Sequence, residues 1–270
     1  MTAVLILFPV LLALYLFLLM PRMGRRPDHS ALPGRYYAHR GLHDNASDAP
    51  ENSMAAFRRA VEHGCGIELD VQLTADGVPV VFHDASLQRV CGVEGRVEDY
   101  TFAELQQFPL FGTDERIPRF ADVLALVDRQ VPLIVEIKAH GDFNAVCAAI
   151  APMLDDYRGP FCVESFHPMA VRWFKKNRPE WIRGQLATNF AKPGKRENPA
   201  QWVTHQLLTN ILCRPDFIAY DVWFFRNFSF RLCRTLFRPL SVAWTVKSQE
   251  ELEKCRGSYD LFIFEGFIPE

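Results

Sequence analysis

Short apolar runs recur eight times along the chain, separated for the most part by stretches with helical periodicity. They fall at Tyr36–Ala38, Ile67–Val71, Leu133–Ile137, Cys162–Ser165, Gln185–Ala187, Phe217–Tyr220, Val242–Thr245 and Leu261–Phe264. This alternation is satisfied by parallel strands joined through crossover helices. Eight such units in about 250 residues predict an α/β fold of the TIM (β/α)8 barrel type. The helices are expected at Ser53–His63 (capped by Asn52 and stopped by Gly64), Phe120–Asp128, Asn144–Leu154, Met169–Asn177, Gln201–Leu212, Arg226–Leu236 and Gln249–Lys254.

One segment breaks the alternation. The runs 66–74 and 78–84 are joined by Ala75-Asp76-Gly77, with no room for a helix between them. An Asp-Gly between strand-like runs signals a hairpin, because both residues tolerate positive φ. A β-hairpin extension of the second strand, folding back over the barrel mouth, is therefore expected. Residues 85–118 lack sustained helical periodicity and are expected as an insertion beside it.

The N-terminus is of a different kind. Ala3 to Met20 reads AVLILFPVLLALYLFLLM without a charge, long enough to cross a hydrocarbon core. A cleaved signal peptide is the rival, but its basic segment would precede the apolar run, and only Met1 and Thr2 do. The basic residues Arg22, Arg25 and Arg26 follow the run, which places that side in the cytoplasm under the positive-inside rule. The expected organisation is a single transmembrane helix over 1–21, a basic juxtamembrane linker over 22–34 and the barrel over 35–270. Seven cysteines without a CxxC pair suit a reducing compartment. A formal net charge of −2 gives no sign of a nucleic-acid binder.

The chemistry is concentrated in two strands. In Ile67-Glu68-Leu69-Asp70-Val71 the two carboxylates share one strand face, and in Ile134-Val135-Glu136-Ile137-Lys138 a carboxylate and an ammonium do the same. Such pairs can lie at strand ends facing solvent. Inside a barrel they are costly unless something positive sits between them. Glu68, Asp70 and Glu136 would supply the hard oxygen ligands that Mg²⁺ or Ca²⁺ prefers. His39-Arg40-Gly41 ends the first strand and His83-Asp84 ends the returning hairpin strand, the positions where barrel enzymes keep catalytic groups. Two imidazoles can serve as general base and general acid near neutral pH. Arg40 and Lys138, with a metal, would offset phosphoryl charge.

These residues carry a family resemblance. His39-Arg40-Gly41, Pro50-Glu51-Asn52-Ser53, Glu68-Leu69-Asp70-Val71, 74–77, His83-Asp84, Glu136-Ile137-Lys138, Ser165-Phe166 and Trp244-Thr245-Val246 occur in order. Together they resemble the glycerophosphodiester phosphodiesterase family. The resemblance implies metal-dependent hydrolysis of glycerophosphodiesters to glycerol phosphate and an alcohol, with one divalent cation as cofactor. It implies His39 and His83 as the acid–base pair, Glu68, Asp70 and Glu136 as metal ligands, and Arg40 and Lys138 on the phosphate. Trp244 would be a pocket wall and Glu51 a support of the first loop. The chain departs from the family at Phe264-Glu265, where a threonine–aspartate pair is usual. This reads as a bulkier wall on the alcohol side. His167 reads as a polar helix-entry residue.

Net charge conceals a division. Residues 171–240 hold 13 Lys/Arg and four Asp/Glu, or +9, while the remainder holds 17 against 28, or −11. The basic stretch is rich in Trp and Phe. It is either a solvated flank or a face for anionic lipid beside the anchor. Three functions follow: a membrane-anchored glycerophosphodiester phosphodiesterase, a lysophospholipase D acting on lysophospholipids, or a catalytically silent membrane-tethered binding module. Attack by a neighbouring substrate hydroxyl through a cyclic phosphate and direct attack by water both remain open.

Overall fold

The computed structural model describes residues 2–28, 32–191 and 196–270, and the side chains from residue 7 onward. Residues 29–31 of the expected linker and 192–195 of the basic stretch lie outside the described residues, as does Met1 of the expected anchor.

All eight expected strands form. They are β1 (Tyr36–His39), β2 (Gly66–Leu73), β4 (Leu133–Ile137), β5 (Phe161–Ser165), β6 (Arg183–Ala187), β7 (Phe217–Asp221), β8 (Leu240–Val246) and β9 (Leu261–Phe264). They pair in parallel in chain order, and β1 pairs with both β2 and β9, which closes the barrel. The hairpin forms as well: β3 (Pro79–Val81) runs antiparallel to β2, with Val71 opposite Val81. The insertion folds as short pieces, α3 (Gln88–Cys91) and α4 (Phe102–Leu105), around a small core of Val80, Leu87, Val97, Leu105 and Ile117.

Alternation along the strands sorts side chains to two sides. Ile67, Leu69, Leu133, Val135 and Ile137 pack outward against α2 (Met54–Glu62), α5 (Phe120–Val127) and α6 (Phe143–Asp156). Tyr37, Ile134, Cys162, Phe217, Val242 and Ile263 form a second cluster that fills the barrel. Its aromatic rings need glycine neighbours, since a Cβ on Gly184 would lie 2.1 Å from the Phe217 ring.

The remaining helices are α7 (Pro168–Asn177), α8 (Pro199–His205), α9 (Asn210–Cys213), α10 (Phe228–Phe237) and α11 (Gln249–Cys255). Two helix expectations are corrected. Residues 201–212 do not form one helix: Leu207 takes a φ of 58° and divides the segment into α8 and α9. The cap of α2 is Ser53, which accepts from the Ala56 amide, while Asn52 takes a φ of 55° and is used elsewhere. The distinction is one of partners, because Asn52 reaches a buried carboxylate that a sequence cannot place beside it.

The N-terminal run forms α1 (Thr2–Leu19), but the expected spanning anchor is not supported. Among the described residues no helix is long and apolar enough to cross a membrane. The physical reason is that the last turns of α1 are committed to the barrel. Tyr15 Oη lies 2.7 Å from Ser229 Oγ on α10, Leu19 is fully buried, and its carbonyl accepts from Asn210 Nδ2 at 2.8 Å. The arginines that follow are also engaged. Arg22 Nη1 donates to Pro179 O at 2.8 Å, and Arg26 Nη2 to Phe237 O at 2.8 Å. These carbonyls follow α7 and end α10, at the end of the barrel away from the strand C-termini.

Candidate active site

The site begins with backbone conformation. Arg40 directly follows β1 with a φ of 55°, a left-handed conformation that non-glycine residues hold only when surroundings impose it. Here they do. The Arg40 amide donates to Glu68 Oε2 at 3.1 Å, its carbonyl accepts from the Asn52 amide at 2.9 Å, and its guanidinium donates to Glu51 Oε1 at 2.7 Å. The two turns are thus locked together against β2.

Glu68, Asp70 and Glu136 converge, each buried, with one ligand oxygen apiece within 4.8 Å of the others. Lys138 Nζ lies 3.0 Å from Asp70 Oδ1 and 2.9 Å from Glu136 Oε1, and Asn52 Nδ2 donates to Asp70 Oδ2 at 2.8 Å. A fourth carboxylate stands beside them. Glu164 on β5 pairs in register with Glu136, is 2% exposed, and has no hydrogen-bond partner for Oε2. Sequence reasoning missed it, although a glutamate at the inward position of an otherwise apolar strand was the available signal.

Electrostatics decides what this cluster fits. Burial, then repulsion from Asp70, Glu136 and Glu164, pushes Glu68 well above the usual carboxylate range. Burial and the same neighbours push Glu164 up likewise, and burial raises Glu136 despite Lys138. Burial opposes the charge on Asp70, yet Lys138, His83 and Arg40 hold it well below its ordinary value. Four buried carboxylates therefore face two cations, Arg40 and Lys138. Glu68, Glu136 and Glu164 resist ionising together unless positive charge is added, and the hard oxygen donors of Glu68, Asp70 and Glu136 fit one divalent cation.

The histidines are prepared alike. His39 Nδ1 lies 2.7 Å from Glu265 Oε2, and His83 Nδ1 lies 2.7 Å from Asp84 Oδ1. A carboxylate accepts, so each Nδ1–H donates and each Nε2 is left for other work. Burial pushes His39 down to about 4 against the bond it donates to Glu265, which keeps the ring neutral at pH 7. The bond to His39, aided by Lys247, holds Glu265 at about 2 despite burial. The reading of Glu265 as a bulkier wall is thereby corrected, because its side chain turns back onto β1. Asp84 is held by Arg89, whose guanidinium also bridges to Glu51 Oε1 at 2.6 Å. Glu51 so links the two histidine-bearing loops.

Beyond Lys138 the mouth opens into a cavity of about 640 Å³, lined by Glu136, Lys138, Phe166, Phe190, Ala200 and Val203 among others. Its charged edge is Glu136 with Lys138, and Phe166, Phe190, Ala200 and Val203 give it an apolar wall. Trp244 is not part of that lining but packs edge-on to Phe166 with ring centroids 5.3 Å apart. His167 directly precedes α7, as expected at a helix entry, and its ring packs on Phe143 at 4.6 Å and lines the cavity.

Residues 39–204 match the glycerophosphoryl diester phosphodiesterase family. The chain belongs to this family. A glycerophosphodiester phosphodiesterase of Caldanaerobacter subterraneus is 44% identical over 162 residues, covering 55% of this chain and 65% of that protein. Human glycerophosphodiester phosphodiesterase 1 is 34% identical over 117 residues, 38% of this chain and 33% of that protein. The chain thus spans between a third and two thirds of the length of these relatives. Among solved structures, an Oleispira antarctica phosphodiesterase in complex with the product sn-glycerol-3-phosphate superposes with a TM-score of 0.71 at 24% identity, over 88% of this chain and 94% of that one. A Thermotoga maritima glycerophosphodiester phosphodiesterase gives 0.65 at 24% identity, over 86% and 94%. At that identity the likeness is one of fold.

Proposed function

We propose that the chain is a phosphoric diester hydrolase that cleaves glycerophosphodiesters to glycerol phosphate and an alcohol. The observation that carries the reading is the pair of histidines, each bonded through Nδ1 to a carboxylate, beside the buried, convergent carboxylates of Glu68, Asp70 and Glu136. Glu68, Asp70 and Glu136 would hold one divalent cation, with Glu164 adding to the field that retains it. Bound there, the cation would polarise a phosphoryl oxygen. Arg40 and Lys138 would orient the phosphate and offset its charge. His39, neutral and buried, would take the proton of the attacking hydroxyl or water at Nε2. His83, nearer the mouth with Asp84 behind it, would give a proton to the departing alkoxide.

The apolar cavity favours a second reading of the alcohol side, a lysophospholipase D whose substrate places its hydrocarbon chain along Phe166, Phe190 and Val203. A silent binding module is the outcome in which ligand binds without turnover. One experiment separates the three: a panel of short glycerophosphodiesters and lysophospholipids, each with Mg²⁺, with Ca²⁺ and with chelator, for wild type and Glu136→Gln. Turnover that needs metal and falls at least about 100-fold in Glu136→Gln supports the proposal. Full turnover in chelator overturns the metal role, and no turnover of any diester overturns the activity.

A further inference from the structure

From Leu7 to Leu14 every residue of α1 is apolar and exposed, the large side chains from 44% at Leu12 to 70% at Phe8. Single exposed apolar side chains are ordinary on a protein surface, whereas a contiguous patch of this kind marks a contact site. The exposure is also on all sides of the helix. A protein groove covers one stripe of a helix; apolar surroundings on every side are what a lipid phase offers.

The docked part of α1 fixes where this segment points. Tyr15 meets Ser229, in the first turn of α10, whereas Arg22 meets Pro179 and Pro215 at the barrel floor. Helices of a (β/α)8 barrel begin at the catalytic end of the strands. α1 therefore runs alongside α10 in the same sense, and its free turns rise past the catalytic rim. The same rim carries Trp223 (72% exposed) and Phe228 (70%), with exposed Arg226 between them. Arg226 lies over the Phe225 ring at 5.4 Å. Aromatic side chains interleaved with a guanidinium suit the boundary between headgroups and acyl chains.

Length sets the depth. Thr2 to Leu14 is about 20 Å of helix at 1.5 Å per residue, against a hydrocarbon core of about 30 Å. That is enough to enter one leaflet deeply.

We propose that the catalytic rim is a lipid-docking face. The free turns of α1 insert into one side of a bilayer, Trp223 and Phe228 rest at headgroup depth, Arg226 meets lipid phosphates, and the cavity opens toward the membrane. Because α1 is fixed to α9 and α10, insertion orients the barrel as well as retaining it.

The test uses the full chain and vesicles of phosphatidylcholine, with and without about a third phosphatidylserine. Co-sedimentation is expected with both, stronger with the anionic lipid. Tryptophan fluorescence is expected to be quenched by phosphatidylcholine brominated near the top of its acyl chains. In Trp223→Phe most of that quenching should disappear while binding persists. Trp223→Ala with Phe228→Ala should weaken binding about tenfold, from the lost aromatic area. Hydrolysis of a short, water-soluble diester should stay at the wild-type rate in both. No vesicle binding overturns the proposal. So does undiminished quenching in Trp223→Phe, the result for a barrel held at a distance from the lipid. Masking of Trp223 by a second protein copy also overturns it. Binding is read without turnover, so failure of the hydrolase reading would leave this result standing.

Discussion

The two halves of the barrel interior share an apolar base, Tyr37, Ile134 and Cys162 from one and Phe217, Val242 and Ile263 from the other, and differ in the charged groups that only the first adds toward the mouth. β1, β2, β4 and β5 bring His39, Glu68, Asp70, Glu136, Lys138 and Glu164 inward, whereas β6 to β9 bring Leu186, Phe217, Ala219, Val242, Trp244 and Ile263. Both satisfy the same strand geometry. The charged half gives up desolvation energy and recovers it through mutual pairing and the loop locks at Arg40 and Asn52, to which the proposed function would add a dication. The apolar half recovers burial energy directly, so it is free to set shape. Under the proposed function, reaction and specificity would be separated across one mouth, and substitutions on the two sides should differ in kind.

The largest effects belong to the charged half. His39→Ala and His83→Ala should each lower kcat by about 10² to 10⁴ without changing the fold, read by steady-state kinetics with circular dichroism as control. Wild-type turnover in either would break the division. Next is Glu265→Gln, which keeps the size of the side chain but weakens the hold on His39 Nδ1. A fall in kcat of about 100-fold with little change in KM is expected, and an unchanged kcat would return Glu265 to the role of a wall.

On the apolar side, Ala200→Trp narrows the cavity. It should lower kcat/KM for lysophospholipids about tenfold and leave short glycerophosphodiesters unaffected. Equal loss on both would show that the cavity does not sort substrates.

The smallest effect tests the strut between the loops. Burial opposes the charge on Glu51, but hydrogen bonds from Arg89 and the charge of Arg40 hold it at about 2, below its ordinary 4.5. A depressed folded-state value means that its stabilisation is present above about pH 4.5 and is lost as pH falls toward 2. The Tm gap between wild type and Glu51→Gln should therefore be a few degrees near pH 7 and shrink on acidification. A gap independent of pH would mean that shape rather than charge is at work.

Much of this was legible in one dimension. A strand's period of two assigns Glu68, Asp70, Glu136 and Lys138 to one face whatever surrounds them, and Asp76-Gly77 dictates a hairpin for local steric reasons. What was not legible depends on distance across the chain. Glu164 becomes part of the cluster only because β5 registers against β4. Glu265 becomes the partner of His39 only because β9 closes on β1, some 226 positions away. Asn52 satisfies the rules for a helix cap, but a buried Asp70 outbids the helix for its side chain.

The N-terminus shows the same boundary. The sequence alone determined that residues 3–20 are apolar and predicted their helix, which ends at Leu19. Whether that helix stands apart or lies against the barrel depends on Ser229, Asn210 and Cys233, residues about two hundred positions on. The sequence determined the periodicities, the barrel and the candidate chemistry, because these follow from local stereochemistry and burial. Only the tertiary structure decided which carboxylates meet, which histidine each one holds, and which way the apolar helix points, because those are pairings that barrel closure creates.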